Sequence, residues 1–119
     1  MKILIIPTLN EKKNILKLYN KLIKFNYGLD ILFVDDNSID GTREEIIKLR
    51  KKNKKIKFLF RPKKLAIGSA HKDGLNYAYK RNYDTILTMD ADGTHDPKYI
   101  RKLLKFSKQF DLISTNRFI

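Results

Sequence analysis

The chain has 119 residues, enough for one small domain with a real core and too few for a second. It contains no cysteine, which excludes disulfides and thiolate chemistry, and no apolar run approaches the roughly 20 residues that span a bilayer. The formal charge of +13 suits an anionic partner such as phosphate, a membrane surface or nucleic acid, although Lys, Asn and Ile are abundant throughout, which fits a bias of genome base composition as well as a binding face.

Met1-Lys2 leads straight into an apolar run over residues 3–6, so no secretory signal is expected. Short continuous runs recur at residues 31–34, 56–60, 86–89 and 112–113, as expected of strands buried on both faces. Between the first two, Ile15, Leu18, Leu22 and Phe25 share one helical face. Thr42 and Glu45 have capping-box spacing, which predicts a helix from there to about Asn53, its lysine-rich end (residues 51–57) being solvated. A third helix is expected over residues 68–80. A fourth follows Asp96-Pro97, with Ile100, Leu103 and Leu104 on one face. Strict alternation of this kind means α/β: a mostly parallel open sheet with flanking helices, in a single domain. Right-handed crossovers would bring the carboxyl ends of the strands to one edge, where open sheets bind ligands.

Those ends carry the chemistry. Asp90-Ala91-Asp92 follows the fourth run and is opened by Gly93. Alternate residues of an extended segment point the same way, so Asp90 and Asp92 can converge on one hard cation. Alone, Asp-x-Asp is more often a turn; its neighbours argue otherwise. The first strand ends in Pro7-Thr8-Leu9-Asn10-Glu11, and the second in Asp35-Asp36-Asn37-Ser38-Ile39-Asp40-Gly41-Thr42. The third leads into Arg61-Pro62-Lys63-Lys64. Acidic groups suit base or ribose donors and a metal, while Arg61, Lys63 and Lys64 suit phosphate. A metal bridging pyrophosphate oxygens reconciles the two signs of charge in one nucleotide-diphosphate site. Neither Gly-x-Gly-x-x-Gly nor Gly-x-x-x-x-Gly-Lys-Ser/Thr occurs, which excludes the common dinucleotide and P-loop sites. His71 on the third helix and His95 in the loop do not make a zinc site.

The blocks around Pro7–Glu11, Asp35–Thr42 and Met89–Gly93 resemble the signatures of family-2 glycosyltransferases with the GT-A fold. The stretches 61–70 and 90–100 are similar to those of dolichol- and polyprenol-phosphate mannose synthases. The resemblance implies an inverting, metal-dependent transfer of mannose from GDP-mannose to a polyprenyl phosphate. A UDP-sugar is the alternative donor, and a non-catalytic nucleotide-sugar module the alternative function. It places Pro7, Leu9, Glu11, Asp36, Lys64 and Asp90 in the nucleotide pocket. Asp90, Asp92 and Thr94 would hold Mg²⁺ or Mn²⁺, and Arg117 would join Asp90 and Asp92 at the reacting phosphates. Leu9 stands where relatives carry Tyr, Ala66 replaces a Gly, and Ser114-Thr115-Asn116-Arg117-Phe118 departs from Ile-Gly-Ser-Arg-Tyr. Relatives continue well past this last block, so the acceptor half is expected to be absent and residues 112–115 poorly paired, unless a partner chain supplies the strand. The expected location is cytoplasmic, free or peripheral at a membrane. Nucleic acid is not an expected partner, for want of an aromatic-basic motif.

Overall fold

In the computed structural model, which describes residues 1–25, 28–63, 65, 67–91 and 112–114, the expected alternation is present. The strands are β1 (Lys2–Thr8), β2 (Asp30–Asp35), β3 (Ile56–Phe60), β4 (Thr85–Thr88) and β5 (Leu112–Ser114). The helices are α1 (Lys12–Phe25), α2 (Thr42–Lys52) and α3 (Ile67–Lys80). The expected helix after Asp96-Pro97 lies outside the described residues, as does the side chain of Phe25.

All pairings between these strands are parallel, in the order β3-β2-β1-β4-β5. The winding therefore reverses between β1 and β4, the switch point at which open α/β sheets bind ligands. The strand expected to be poorly paired has one neighbour: Leu112, Ile113 and Ser114 stand opposite Ile86, Leu87 and Thr88. No described strand lies beyond it.

Side-chain alternation divides the core into two layers. Leu4, Ile6, Phe33 and Leu87 pack with Ile15, Leu18, Leu22, Ile46 and Leu49, so α1 and α2 cover one face. Ile3, Ile5, Leu32 and Val34 pack with Ala70 and Ala78, so α3 covers the other. Each such aliphatic side chain contributes about 1.5–3 kcal/mol on burial. This is why continuous apolar runs, polar at neither parity, became the inner strands.

On the second face the helix lies very close to the sheet. A Cβ built on Gly74 would stand 2.6 Å from Ile5 Cγ2 and 3.3 Å from Val34 Cγ2. Both are branched side chains with little freedom to turn away. Gly74→Ala should therefore destabilise the fold. Overpacking costs about 1–3 kcal/mol, against a helix-propensity gain of at most about 1 kcal/mol. Gly68 in the same helix has nothing within 4 Å of its added Cβ, so Gly68→Ala should be neutral or stabilising. Thermal melts of the two variants test the contact, and equal shifts would refute it.

Candidate functional site at the carboxyl edge of the sheet

The carboxyl end of β1 is where the sheet opens. Ile3 to Thr8 pair with β2, but pairing with β4 stops at Ile5 opposite Thr88. The Met89 N–H donates to Ile5 O at 3.0 Å, so odd residues of β1 bond toward β4. Thr8 O accepts the Asp36 N–H at 3.0 Å, so even residues bond toward β2. The next rung toward β4 would need an N–H from residue 7, and proline has none. Pro7 thus ends the β1–β4 ladder and leaves the end of β4 free to diverge.

Asp35 closes β2 and is fully buried. Its carboxylate accepts the Thr8 hydroxyl at 2.7 Å, the Ser38 N–H at 2.8 Å, the Ser38 hydroxyl, and Arg43 Nε at 2.6 Å. Arg43 reaches back from α2, stacks 4.7 Å over the Phe60 ring, and donates to the carbonyls of Asp35 and Arg61. One side chain therefore clamps the ends of β2 and β3.

The loops after β1 and β2 are joined by reciprocal hydrogen bonds. The Asn10 N–H donates to Ser38 Oγ at 2.8 Å, and Asn10 Oδ1 accepts the Ile39 N–H at 2.9 Å. Asn10 and Asn37 take φ of 54° and 62°, the left-handed region that asparagine tolerates better than most residues. The Glu11 N–H donates to the Thr42 hydroxyl at 2.9 Å, and the Lys12 N–H to Asp40 at 3.2 Å. Burial pushes the Asp40 carboxyl up, but hydrogen bonds from the Thr42 hydroxyl and the Lys12 and Thr42 N–H groups outweigh it and hold the group below its usual range.

Those bonds correct the capping-box expectation. Helix α2 does begin at Thr42 and stop before Asn53, yet its N-cap is Gly41 at φ 101°, with no side-chain cap bond. The Thr42 hydroxyl is engaged by Asp40 and Glu11 instead.

A second correction concerns Arg61, expected at a phosphate. It is 3% exposed, and its Nη1 lies 3.3 Å from Asp36 Oδ1. Its Nε lies 3.1 Å from the Asp73 carboxylate of α3, and Nη2 donates to the Ser69 hydroxyl. Asp36 in turn accepts the Leu65 N–H at 2.8 Å. The Arg61 guanidinium is thus a buried tie between β2, the loop after β3, and α3. Lys63, by contrast, is exposed.

The other expected residues divide as follows. Pro7 is buried, while Leu9 and Glu11 are half-buried along the opening, Glu11 also accepting the Asn14 side-chain amide at 2.8 Å. Asp90 is half-buried just past β4. Its neighbours Met89 and Ala91 are buried among the residues under α1 and α2, so Asp90 has the opposite parity. Lys64, Asp92, Thr94 and Arg117 lie outside the described residues. A carboxylate oxygen at a strand end suits a hard divalent cation. Among the described residues no three metal-ligating side chains gather. Sequence reasoning missed Arg43, Ser69 and Asp73. Nothing in their spacing marks them, because their partners are 8 to 18 residues away or come through the loop.

Removing one member of a buried ion pair strands the other, at a cost of about 3–5 kcal/mol. Arg61→Met should therefore lower the stability read from urea unfolding by about that amount. Asp36→Asn combined with Arg61→Met should cost less than the two changes added. Strict additivity would show that the pair is not coupled.

Comparison with known proteins gives a consistent picture. The model of glycosyl transferase family 2 matches residues 3–118. An undecaprenyl-phosphate mannosyltransferase of Micrococcus luteus is 33% identical over 113 residues, 95% of this chain and 46% of the relative. A polyprenol monophosphomannose synthase of Mycolicibacterium smegmatis is 32% identical over 103 residues, 86% of this chain and 39% of the relative. The chain thus spans less than half the length of these curated relatives. Among solved structures, S. aureus TarS 1–349 in complex with UDP superposes with a TM-score of 0.74 at 24% identity, covering 92% of this chain and 32% of that one. The mannosyltransferase PcManGT of Pyrobaculum calidifontis, in complex with GDP-Man and Mn²⁺, gives 0.68 at 21% identity, covering 76% and 27%. These structures share the fold, a parallel sheet wound with helices on both faces. The chain belongs to glycosyl transferase family 2.

Proposed function

We propose that this chain carries the donor-binding side of a polyprenyl-phosphate mannosyltransferase that takes mannose from GDP-mannose with inversion. The observation that carries the reading is the match, over 95% and 86% of the chain, to two relatives whose names state transfer of mannose to a polyprenyl phosphate. The nucleotide would lie across the opening beside Pro7, with Leu9 and Glu11 along it and Lys64 and Arg117 toward the phosphates. Asp36, buried in its pair with Arg61, would position the base side of that opening rather than touch the base. Asp90, with Asp92 and Thr94, would hold Mg²⁺ or Mn²⁺. The chemistry a divalent cation supplies when bound there is neutralisation of charge on the leaving diphosphate.

The acceptor is already anionic, so its phosphate oxygen needs no strong general base. That oxygen attacks the anomeric carbon opposite the diphosphate. The new C–O bond forms as the bond to the diphosphate breaks, the electron pair leaves with the diphosphate, and no proton moves. Cationic side chains around the leaving group would lower the barrier by matching the charge that develops there. A UDP-sugar is the second reading, favoured by the superposition on the UDP complex of TarS.

Calorimetric titration separates the readings. GDP-mannose should bind only with Mn²⁺ or Mg²⁺ present. Asp90→Asn and Asp92→Asn should each weaken that binding by roughly 10–100-fold, at least the loss that follows a perturbed ligand shell. Displacement of GDP-mannose by a UDP-sugar of equal or higher affinity would overturn the donor assignment. Metal-independent binding would overturn the metal assignment. Radiolabelled mannose transfer to a polyprenyl phosphate tests the acceptor.

A further inference from the structure

Part of the basic excess lies on α1, where the donor site leaves it unexplained. Helix α1 carries Lys12, Lys13, Lys17, Lys21 and Lys24 and no acidic residue. At 3.6 residues per turn, Lys13, Lys17 and Lys24 project from the side opposite the buried Ile15, Leu18 and Leu22. Lys21 lies on one flank of that stripe, and Leu16 and Ile23 on the other. Leu16 is 47% exposed and Ile23 45%, high values for large aliphatic side chains in a chain with a well-filled core. Among the described residues, none of the four lysines 13, 17, 21 and 24 is held in an ion pair.

We infer that the outer face of α1 is a docking surface for an anionic lipid bilayer. Lysines beside exposed aliphatic residues on one helix are the pattern of interfacial binding: the ammonium groups meet lipid phosphates while the aliphatic chains enter the headgroup boundary. Two features set this face apart from a nucleic-acid surface. It has no arginine, whose planar fork suits phosphodiesters and bases, and among the described side chains it has no exposed aromatic ring on which a base could stack. No helix among the described residues is long and apolar enough to cross a membrane, so contact through α1 would be peripheral. The inference rests on α1 alone and survives if the donor reading fails.

Co-sedimentation of the full chain with vesicles tests it. The chain should bind vesicles of phosphatidylglycerol with phosphatidylcholine, should not bind pure phosphatidylcholine, and should release as salt screens the attraction. The combined variant Lys13→Gln, Lys17→Gln, Lys21→Gln and Lys24→Gln changes exposed positions only and should bind anionic vesicles at least ten-fold more weakly. Leu16→Ser with Ile23→Ser should also weaken binding. The α3 set Lys72→Gln, Lys80→Gln and Arg81→Gln should change it by less than three-fold. Equal losses from the α1 and α3 sets would reduce the effect to net charge and overturn the proposal. So would absence of binding, or tighter binding of duplex DNA than of vesicles at the same salt through the same α1 lysines. GDP-mannose titration of the α1 variant keeps the two questions apart, since a surface role leaves donor affinity unchanged.

Discussion

Asp35 ends β2 with no exposed surface, where an unpartnered carboxylate would cost several kcal/mol to desolvate. Four donors offset that cost, and they come from three places: β1 (Thr8), the backbone and hydroxyl of the following loop (Ser38), and α2 (Arg43). Because the carboxylate is satisfied only when all of these are in position, it converts a set of loose strand ends into one edge. Charge-assisted hydrogen bonds are the stronger kind, and inside a protein they are strengthened further by low dielectric. The reciprocal bonds between residues 10–12 and 38–42 are then held in register by a group none of them touches directly except through Ser38.

The neighbouring carboxylate acts in the other direction. Asp36 lies past the strand, and its bonds run outward to Leu65 and Arg61, whose guanidinium continues to Ser69 and Asp73 on α3. Two adjacent aspartates thus face different neighbours for the ordinary reason that consecutive residues of an extended chain point to opposite sides. One secures β1, β2 and α2, while the other secures the crossover into α3. Rigid support of this kind lets a site on loops hold its geometry, since binding groups placed on unsupported loops lose precision.

The strands were legible because burial on both faces leaves an apolar run at every position, and a helix of the same length would not need one. The ends were legible to within a residue or two: β1 extends to Thr8 rather than Ile6 because Pro7 and Thr8 still pair with β2. The polar edge was legible only as a list of residue types. Charge can be read from a sequence, but burial of a charge cannot, so Arg61 looked like a phosphate ligand until its three partners were in view. The same holds for Thr42. A hydroxyl three residues before a glutamate satisfies the capping pattern, but that hydroxyl donates to Asp40 and accepts the Glu11 N–H, and the left-handed Gly41 stands at the N-cap instead. Likewise Gly74 reads as a weak point in a helix, and only the distance to Ile5 shows that it sets how closely α3 meets the sheet.

The position of Asp90 follows from these constraints taken together. Helices cover both faces of this sheet, so a charged side chain on an inner strand would be buried at either parity. A strand can present one only where it outruns its cover and its neighbour. Pairing of β4 with β1 ends at Thr88 because the next rung requires an N–H that Pro7 lacks. Met89 and Ala91 still turn into the core beneath α1 and α2, which anchors the departing chain. Asp90, between them, is left at the opposite parity and half-buried at the switch point. A proline at the end of one strand thereby determines where a carboxylate can stand at the end of another.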